Sequence, residues 1–427
     1  MIFVYNAFLY AAVIVFFPVL LIAVALSGKL RKGFPHRLGV IPRENAEKLK
    51  NRKIIWFHAA SVGEAQALIP VIREMKKIKK GYDIITTTTS INGMKKHAQE
   101  LGGVILFTML LPFDFGFIMR GFIKKVRPEI IVIVETELWP NLINEASKAK
   151  VPLILANGRI SVKSFKWYYS ARLLFGRLLN KFELLIMQSE KMVKRLRKLG
   201  VKGKKVLILN NTKYSEGENG PAKKFELKDA AGRKIIAAGS IRPGEEECII
   251  KAASLLKSAP PLLVIAPRHM DRVHAIAKLL AAEGIGFKLW TDIKEYTATP
   301  EYSAIILNTV GELRHVYPSC DIAVIGGGFK KFGGHNPIEA AVASLPIVMG
   351  VNMYNFEDTC DKLVKEGGAF QVESRPHKIA EKLDELLENE GLRKECGAKN
   401  AEAIDKLRGS AETTALLIDE IMIEGAR

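Results

Sequence analysis

The chain opens on an uninterrupted apolar run. Residues 3–27, FVYNAFLYAAVIVFFPVLLIAVALS, carry no charged side chain, and a helix of ~20 such residues is long enough to cross a hydrocarbon core. The run predicts an N-terminal membrane anchor over residues 1–30, either spanning the bilayer or buried in one leaflet. Pro18 and the amphipathic Tyr5 and Tyr10 suit the second geometry. Lys29, Arg31, Lys32, His36 and Arg37 follow at once. By the positive-inside rule they keep the rest of the chain on the cytoplasmic side of an inner membrane. A cleaved signal peptide fits the pattern less well, because no basic residue precedes the run and no small-x-small cleavage site follows it.

Beyond the anchor, short apolar segments alternate with stretches of helical period, the pattern of parallel α/β sheets. Strands are expected at 53–59, 83–89, 103–110, 129–135, 152–157 and 183–189, with helices such as 64–79, 115–126 and 140–149 between them. A second series of strands is expected at 234–240, 262–267, 286–290, 304–309, 321–327 and 345–350. The polar stretch 215–232, which contains SEGENGPAKK, separates the two series and reads as a linker. The expectation is two Rossmann-like α/β domains facing a cleft, over 31–214 and 233–427, with the last helix able to pack back on the first domain. A chain of 427 residues is long for one core, which agrees with two. Ligands in such folds sit beyond the carboxyl ends of the strands.

Charge narrows the partners. The formal net charge is +19, a field that favours an anionic bilayer, phosphorylated substrates or nucleic acid. No nucleic-acid-reading motif is present, so nucleic acid is not expected as a partner. Cys248, Cys320, Cys360 and Cys396 lack the CxxC spacing of zinc or redox sites. They read as reduced structural cysteines.

Chemistry-bearing residues cluster at the predicted strand ends. Ser61 and Gly63 shape the turn after the first strand, and Glu64 opens the next helix near its positive dipole end. There it either serves the helix dipole or accepts a proton from a substrate hydroxyl. The strand at 129–135 ends in ETELWPN, which sets Glu135 and Glu137 on one side of an extended chain before a helix started by Pro140. One of these acids can be a structural cap. Arg159, in NGRIS (157–161), suits a carboxylate or phosphate through its bidentate fork, or else a surface ion pair. Lys213, in NNTKYS, stands just before the linker.

The second half carries GSIRPGEEE (239–247), APRHMDR (266–272) with Arg268 and His269, and TVGELRHVY (309–317) with Glu312. Its strongest signal is GGGFKKFGGHNPIEAA (326–341), a glycine-rich loop running into Asn336-Pro337 and a helix with Glu339. Backbone N–H groups at such a helix start can hold a phosphate, glycines let a ligand approach closely, and Glu339 can accept from a ribose. The loop has neither the GK[ST] of a P-loop nor a clean GxGxxG.

Taken in order, SVGE (61–64), ETELWPN (135–141), NGRIS (157–161), PRH (267–269), GEL (311–313) and GGHNPIEAA (333–341) resemble one family, the 3-deoxy-D-manno-oct-2-ulosonic acid (Kdo) transferases of lipopolysaccharide synthesis. The resemblance runs nearly end to end. It implies a B-type glycosyltransferase fold, a CMP-Kdo donor and a lipid A precursor (lipid IVA) as acceptor. It also implies inversion at the anomeric carbon with no metal or other cofactor. By matching position, Glu64 is the implied general base, and Glu135 and Lys213 stabilise the transition state. Pro267, Arg268, Val310, Gly311, Glu312, Asn336, Pro337, Ile338 and Glu339 are implied to bind CMP. Ser61, Gly63, Glu137, Arg159 and His335 stand beside them as candidate substrate contacts. NNTKYS departs from the family's GSLKFD-like stretch but keeps the lysine, and NGRIS departs from NARLS but keeps the arginine. The basic stretch 163–205, with Trp167, Tyr168 and Tyr169, reads either as a solvated surface or as a contact for anionic headgroups and the acceptor's phosphates. Competing readings are a similar transferase with another nucleotide sugar, and a tethered binder of anionic ligands without catalysis.

Overall fold

The computed structural model describes residues 2–26, 28–78, 81–203, 206–212, 227–229, 231–293 and 296–424, apart from the side chains of 17–25, 28–30, 32 and 62. They form two compact units, Met1–Glu216 with Arg408–Arg427, and Gly217–Leu407. Lys213 and most of the polar stretch 215–232 lie outside the described residues.

The first unit is built on a parallel sheet of β1 (Ile54–His58), β2 (Asp83–Thr88), β3 (Phe107–Leu110), β4 (Pro128–Val134), β5 (Leu153–Gly158), β6 (Leu184–Met187) and β7 (Val206–Ile208). Its order is β3-β2-β1-β4-β5-β6-β7. The strands read as continuous apolar runs because helices cover both faces of the sheet. In β1 the residues alternate between two cores. Ile54 and Trp56 join Phe122, Ile131, Leu142 and Phe182 on one face, while Ile55 and Phe57 join Leu68, Ile72 and Val132 on the other. Each such fully buried side chain contributes roughly 1.5–3 kcal/mol. The C-terminal helix Ser410–Glu424 belongs to this unit and adds Ala411, Ala415, Ile418 and Met422 to the second core.

The first helix, Ile2–Leu26, begins against the same unit. The Tyr5 hydroxyl donates to Asp114 Oδ2 at 3.0 Å, and Asn6 Oδ1 accepts from Asn141 Nδ2 at 2.7 Å. The Tyr10 ring stacks on Phe115 at 5.6 Å. Among the described residues no helix is long and apolar enough to cross a membrane, so the membrane-spanning anchor expected from the sequence finds no support in the fold.

The second unit carries a parallel sheet of β9 (Ile235–Ile241), β10 (Leu262–Pro267), β11 (Phe287–Leu289), β13 (Ala304–Ile306), β14 (Ile322–Ile325), β15 (Ile347–Gly350) and β16 (Ala369–Val372). A separate two-stranded pair joins β8 (Lys228–Asp229) to β12 (Thr297–Ala298). The large sheet runs β11-β13-β10-β9-β14-β15-β16. In each large sheet the strand order reverses beside its first central strand, between β1 and β4 and between β9 and β14. A parallel sheet leaves a ligand crevice at such a switch point. Three non-glycine residues with left-handed backbone sit at strand ends there: Glu135 (φ 58°) after β4, Asn157 (φ 53°) in β5 and Ser240 (φ 57°) in β9. Such a conformation is costly for these residues and concentrates at functional sites.

Candidate active site

In the first unit the β1–β4 switch point is a carboxylate pocket. After β1 the chain turns at Ser61 into the helix Val62–Ile78. Ser61 Oγ accepts from the Glu64 N–H at 3.2 Å and donates to Glu64 Oε1 at 2.9 Å. Glu64 Oε2 accepts from the Ala60 N–H at 2.6 Å. This is the reciprocal arrangement of a helix-capping serine with a glutamate three residues on. The structural role of Glu64 is therefore real, and it also fixes where the carboxylate points. A Cβ on Gly63 would meet only Ser61 Oγ, at 3.8 Å, so the turn does not require glycine for space.

Glu64 is 9% exposed. Burial, then the charges of Glu135 and Glu137, push its pKa up to about 7, against the opposing hydrogen bonds from Ala60 and Ser61. Desolvation and like charge both disfavour the ionised form, and here they outweigh two good donors. Glu137 is also held above the usual carboxylate range, by burial first and by Glu135, while the Trp139 indole N–H at 3.0 Å opposes this. The Thr136 hydroxyl donates to the Arg159 carbonyl, and the Tyr168 hydroxyl donates to the Thr136 carbonyl at 2.9 Å. These bonds tie the segment after β4 to β5 and to the helix Val162–Ser170.

Glu64, Glu135, Thr136, Glu137, Arg159, Ser161, Ser164 and Tyr168 line an open cavity of about 210 Å³. Drug-sized ligand pockets run from roughly 300 Å³ upward, so this one fits the reacting end of a larger molecule. Three acids, one guanidinium and four hydroxyls suit a polyhydroxylated ligand. The structure thus brings Glu64, Glu135, Glu137 and Arg159 to one wall, with Ser61 behind Glu64. Thr136, Ser164 and Tyr168 were not singled out as site residues from sequence. The spacing of Ser164 and Tyr168, four apart on one helix face, is the signal that could have found them.

The second unit gathers a cationic cluster at its own switch point. Pro267 ends β10 at a register shift opposite Ile241, and the Arg268 N–H donates to the Ile241 carbonyl at 2.9 Å. The Arg242 guanidinium lies 2.8 Å from His269 Nε2 and 4.9 Å from the Phe332 ring centroid. Burial, then Arg268, Arg242 and His269, hold the His335 pKa down to about 4, so His335 is neutral near pH 7 among cations. Its Nε2 is buried and has no hydrogen-bond partner among the described residues. Of the other positions, Val310 is 83% exposed, and Gly311 has φ 92° in the loop before the short helix Leu313–Val316. Glu312 is the residue before that helix. Behind it, Tyr317 is fully buried, and its hydroxyl pKa is raised by burial and by the Glu339 charge. A Cβ on Gly239 would sit 2.3 Å from that hydroxyl, so glycine is required there.

In the glycine-rich loop several backbone amides are engaged within the protein. Gly327, Phe329 and Lys330 donate their N–H groups to Glu245. Gly334 and His335 donate to the carbonyls of Gly327 and Gly326. Asn336 Oδ1 accepts from the Ile338 N–H at 3.1 Å, capping a helix, Ile338–Val342, of only five residues. These amides are committed within the protein, and the cationic side chains beside them can meet an anion. Among the described residues no group of three or more His, Cys, Asp or Glu side chains is placed to hold a metal ion.

Comparison with known proteins bears on the whole chain. A family model described as 3-deoxy-D-manno-octulosonic-acid transferase (kdotransferase) matches residues 32–216. The 3-deoxy-D-manno-octulosonic acid transferase of Haemophilus influenzae is 31% identical over 84% of this chain and 84% of its own length. A bifunctional glycosyltransferase/methyltransferase of Fusobacterium nucleatum is 31% identical over 80% of this chain, which spans only 54% of that protein. A solved glycosyltransferase from Rickettsia africae has the same fold, with TM-score 0.59 at 15% identity, over 87% of this chain and 99% of that one. The chain is a glycosyltransferase and belongs to the 3-deoxy-D-manno-octulosonic acid (Kdo) transferase family.

Proposed function

We propose that the protein transfers Kdo from CMP-Kdo to a lipid A precursor, lipid IVA, with inversion at the anomeric carbon and Glu64 as general base. The observation that carries this reading is the buried Glu64 carboxyl, raised to about 7 in a pocket lined by two further acids. A sugar hydroxyl is a weak nucleophile, and a base with a pKa near the working pH serves it best. In the proposed step the acceptor oxygen forms a bond to the anomeric carbon of Kdo. The bond from that carbon to the CMP phosphate oxygen breaks and CMP leaves with the electron pair. The hydroxyl proton passes to Glu64. Charge builds on the departing CMP, and Arg268 and Lys213 would stabilise it, with Glu135 assigned to transition-state stabilisation through the family resemblance. Val310, Gly311, Glu312, Pro267 and residues 336–339 would complete the nucleotide site.

The test uses purified protein with lipid acceptor and CMP-Kdo, the products resolved by mass. Glu64→Gln should lower turnover by ~10²–10⁴ while the fold is kept; full transfer by a folded variant would sink the base assignment. In a thermal-shift comparison CMP should raise the melting temperature and UDP and ADP should not. A response to UDP alone would overturn the donor.

A lipid acceptor also calls for a membrane-facing surface, and the same reading places the protein at the cytoplasmic face of an inner membrane. Supporting this are exposed apolar side chains on the first helix, among them Phe3, Phe8, Ile14 and Phe16, and exposed Phe117, Trp167 and Leu173 in the same unit. The helix Glu190–Lys198 adds basic residues in its last turn, each worth about 1 kcal/mol near an anionic surface. Lys194→Glu with Arg197→Glu should weaken binding to vesicles containing anionic lipid and flatten its salt dependence. Unchanged, salt-insensitive binding would remove this role from the helix.

A further inference from the structure

The turn after β9 reads RPGEEE, and its three acids follow one another in sequence but not in environment. Glu247 is exposed and pairs with Lys251 on the next turn. Glu246 is buried and is met by Arg272 at 3.0 Å. Glu245 is 0% exposed, and among the described residues it forms no ion pair. Its two oxygens instead receive four backbone N–H groups. Oε2 accepts from Arg242 at 3.0 Å and Gly327 at 2.7 Å, and Oε1 accepts from Phe329 at 2.9 Å and Lys330 at 3.1 Å. Three of the four donors belong to the glycine-rich loop.

We propose that Glu245 is a positioning residue, a built-in anion around which the loop 326–331 is wrapped so that its side chains can receive the donor. Converging backbone N–H groups form a concavity that ordinarily binds a ligand's phosphate or carboxylate. Here the protein fills that concavity itself. The consequence is a division of labour: three amides of the loop answer to Glu245, and the surrounding cationic side chains are left free to meet the ligand's acid groups. Those side chains are placed by the same network. Arg242 donates its own N–H to Glu245 and carries its guanidinium to His269 and Phe332. Lys330 donates to the other oxygen, and its ammonium reaches the space beside Gly244, where an added Cβ would sit 2.6 Å from Nζ. Gly326 packs so closely on β9 that a Cβ would meet the Ser240 carbonyl oxygen at 2.5 Å. Strand β9, its turn and the loop after β14 are therefore one rigid piece, and Glu245 is the joint.

This inference rests on the reading of the second unit as the nucleotide-sugar site, and the experiment separates the two. Glu245→Gln keeps the shape and two of the four acceptor positions but turns an NH2 group towards the other two donors. Glu245→Asp keeps the charge on a shorter arm and controls for simple loss of packing. In the full-length protein, CMP binding by calorimetry should weaken by at least tenfold in Glu245→Gln and be partly restored in Glu245→Asp. The KM for CMP-Kdo should rise in parallel, with kcat at saturating donor and the KM for acceptor changed less than threefold. Hydrogen exchange at the amides of Gly327, Phe329 and Lys330 should accelerate in Glu245→Gln with no nucleotide present. A folded Glu245→Gln protein that binds CMP within twofold of wild type, or that loses kcat alone, would overturn the positioning role while leaving the donor reading intact. A wild-type protein that binds neither CMP, UDP nor ADP would overturn the donor reading and, with it, the loop as a nucleotide seat.

Discussion

At the scale of single residues, Glu64 is where a structural bond pattern and the proposed chemistry meet. Its bonds to Ala60 and Ser61 are those of a helix cap, and they pull its pKa down. Burial with Glu135 and Glu137 nearby reverses the balance and brings it to about 7. As the proposed base must be ionised, kcat/KM should rise with pH through about 7. Glu137→Gln removes one of the raising charges, so the acid limb should move to lower pH; an unmoved limb would show that the two acids are uncoupled. The stability effect has the opposite sign to that of a salt-bridged acid. The folded state holds the Glu64 proton more tightly than the unfolded chain, so this group favours folding as pH falls from about 7 towards 4.5 and costs stability above that window. Both roles for Glu64 are open in SVGE, but its pKa is not legible there, because it depends on acids seventy positions away in the chain that only the β1–β4 pairing brings close.

At the scale of elements, the central strands were legible, as was one edge of each sheet, β3 and β11, while the opposite edges were not. Continuous apolar runs such as PEIIVIV mark strands covered on both faces, and Pro140 marks the first position of the helix that follows. Strands β7 and β16 hold three and four residues, several of them partly or fully exposed, and lie outside the strands expected from sequence although β7 reads Val-Leu-Ile. The same holds for Asp114, which no motif contains. The helix Pro140–Lys148 has no capping side chain at its own start, and Asp114 supplies the cap from the β3 side, accepting from the Asn141 and Leu142 N–H groups at 2.9 and 2.8 Å. Burial pushes its pKa up to about 6 although both N–H groups and Tyr5 oppose this. Asp114→Ala leaves these buried donors unanswered and should cost roughly 2–3 kcal/mol in urea unfolding. Tyr5→Phe, which removes only the Asp114 bond to the first helix, should cost about 1 kcal/mol.

At the scale of the whole molecule, chain order and structural order part company at the C-terminus. The chain builds one unit, then the second, and then returns a helix to the first, where Ala411, Ala415, Ile418 and Met422 sit in the core with Leu68 and Ile72. Their spacing of four, three and four places them on one helical stripe, and Ile418 is wholly buried. Ile418→Ala should therefore destabilise the first unit by roughly 2–4 kcal/mol through lost burial and a cavity, although the substitution lies some two hundred residues beyond the rest of that unit's chain. In the proposed reading CMP acts on the other unit, since a ligand stabilises the part of the molecule that binds it. Calorimetry of the two perturbations together assigns the transitions: Ile418→Ala should lower one and CMP should raise the other, with additive shifts. Loss of the CMP response in Ile418→Ala would mean that the two units do not unfold independently. A single shift in common would carry the same meaning, and the folding unit would then be the entire chain rather than either sheet with its helices.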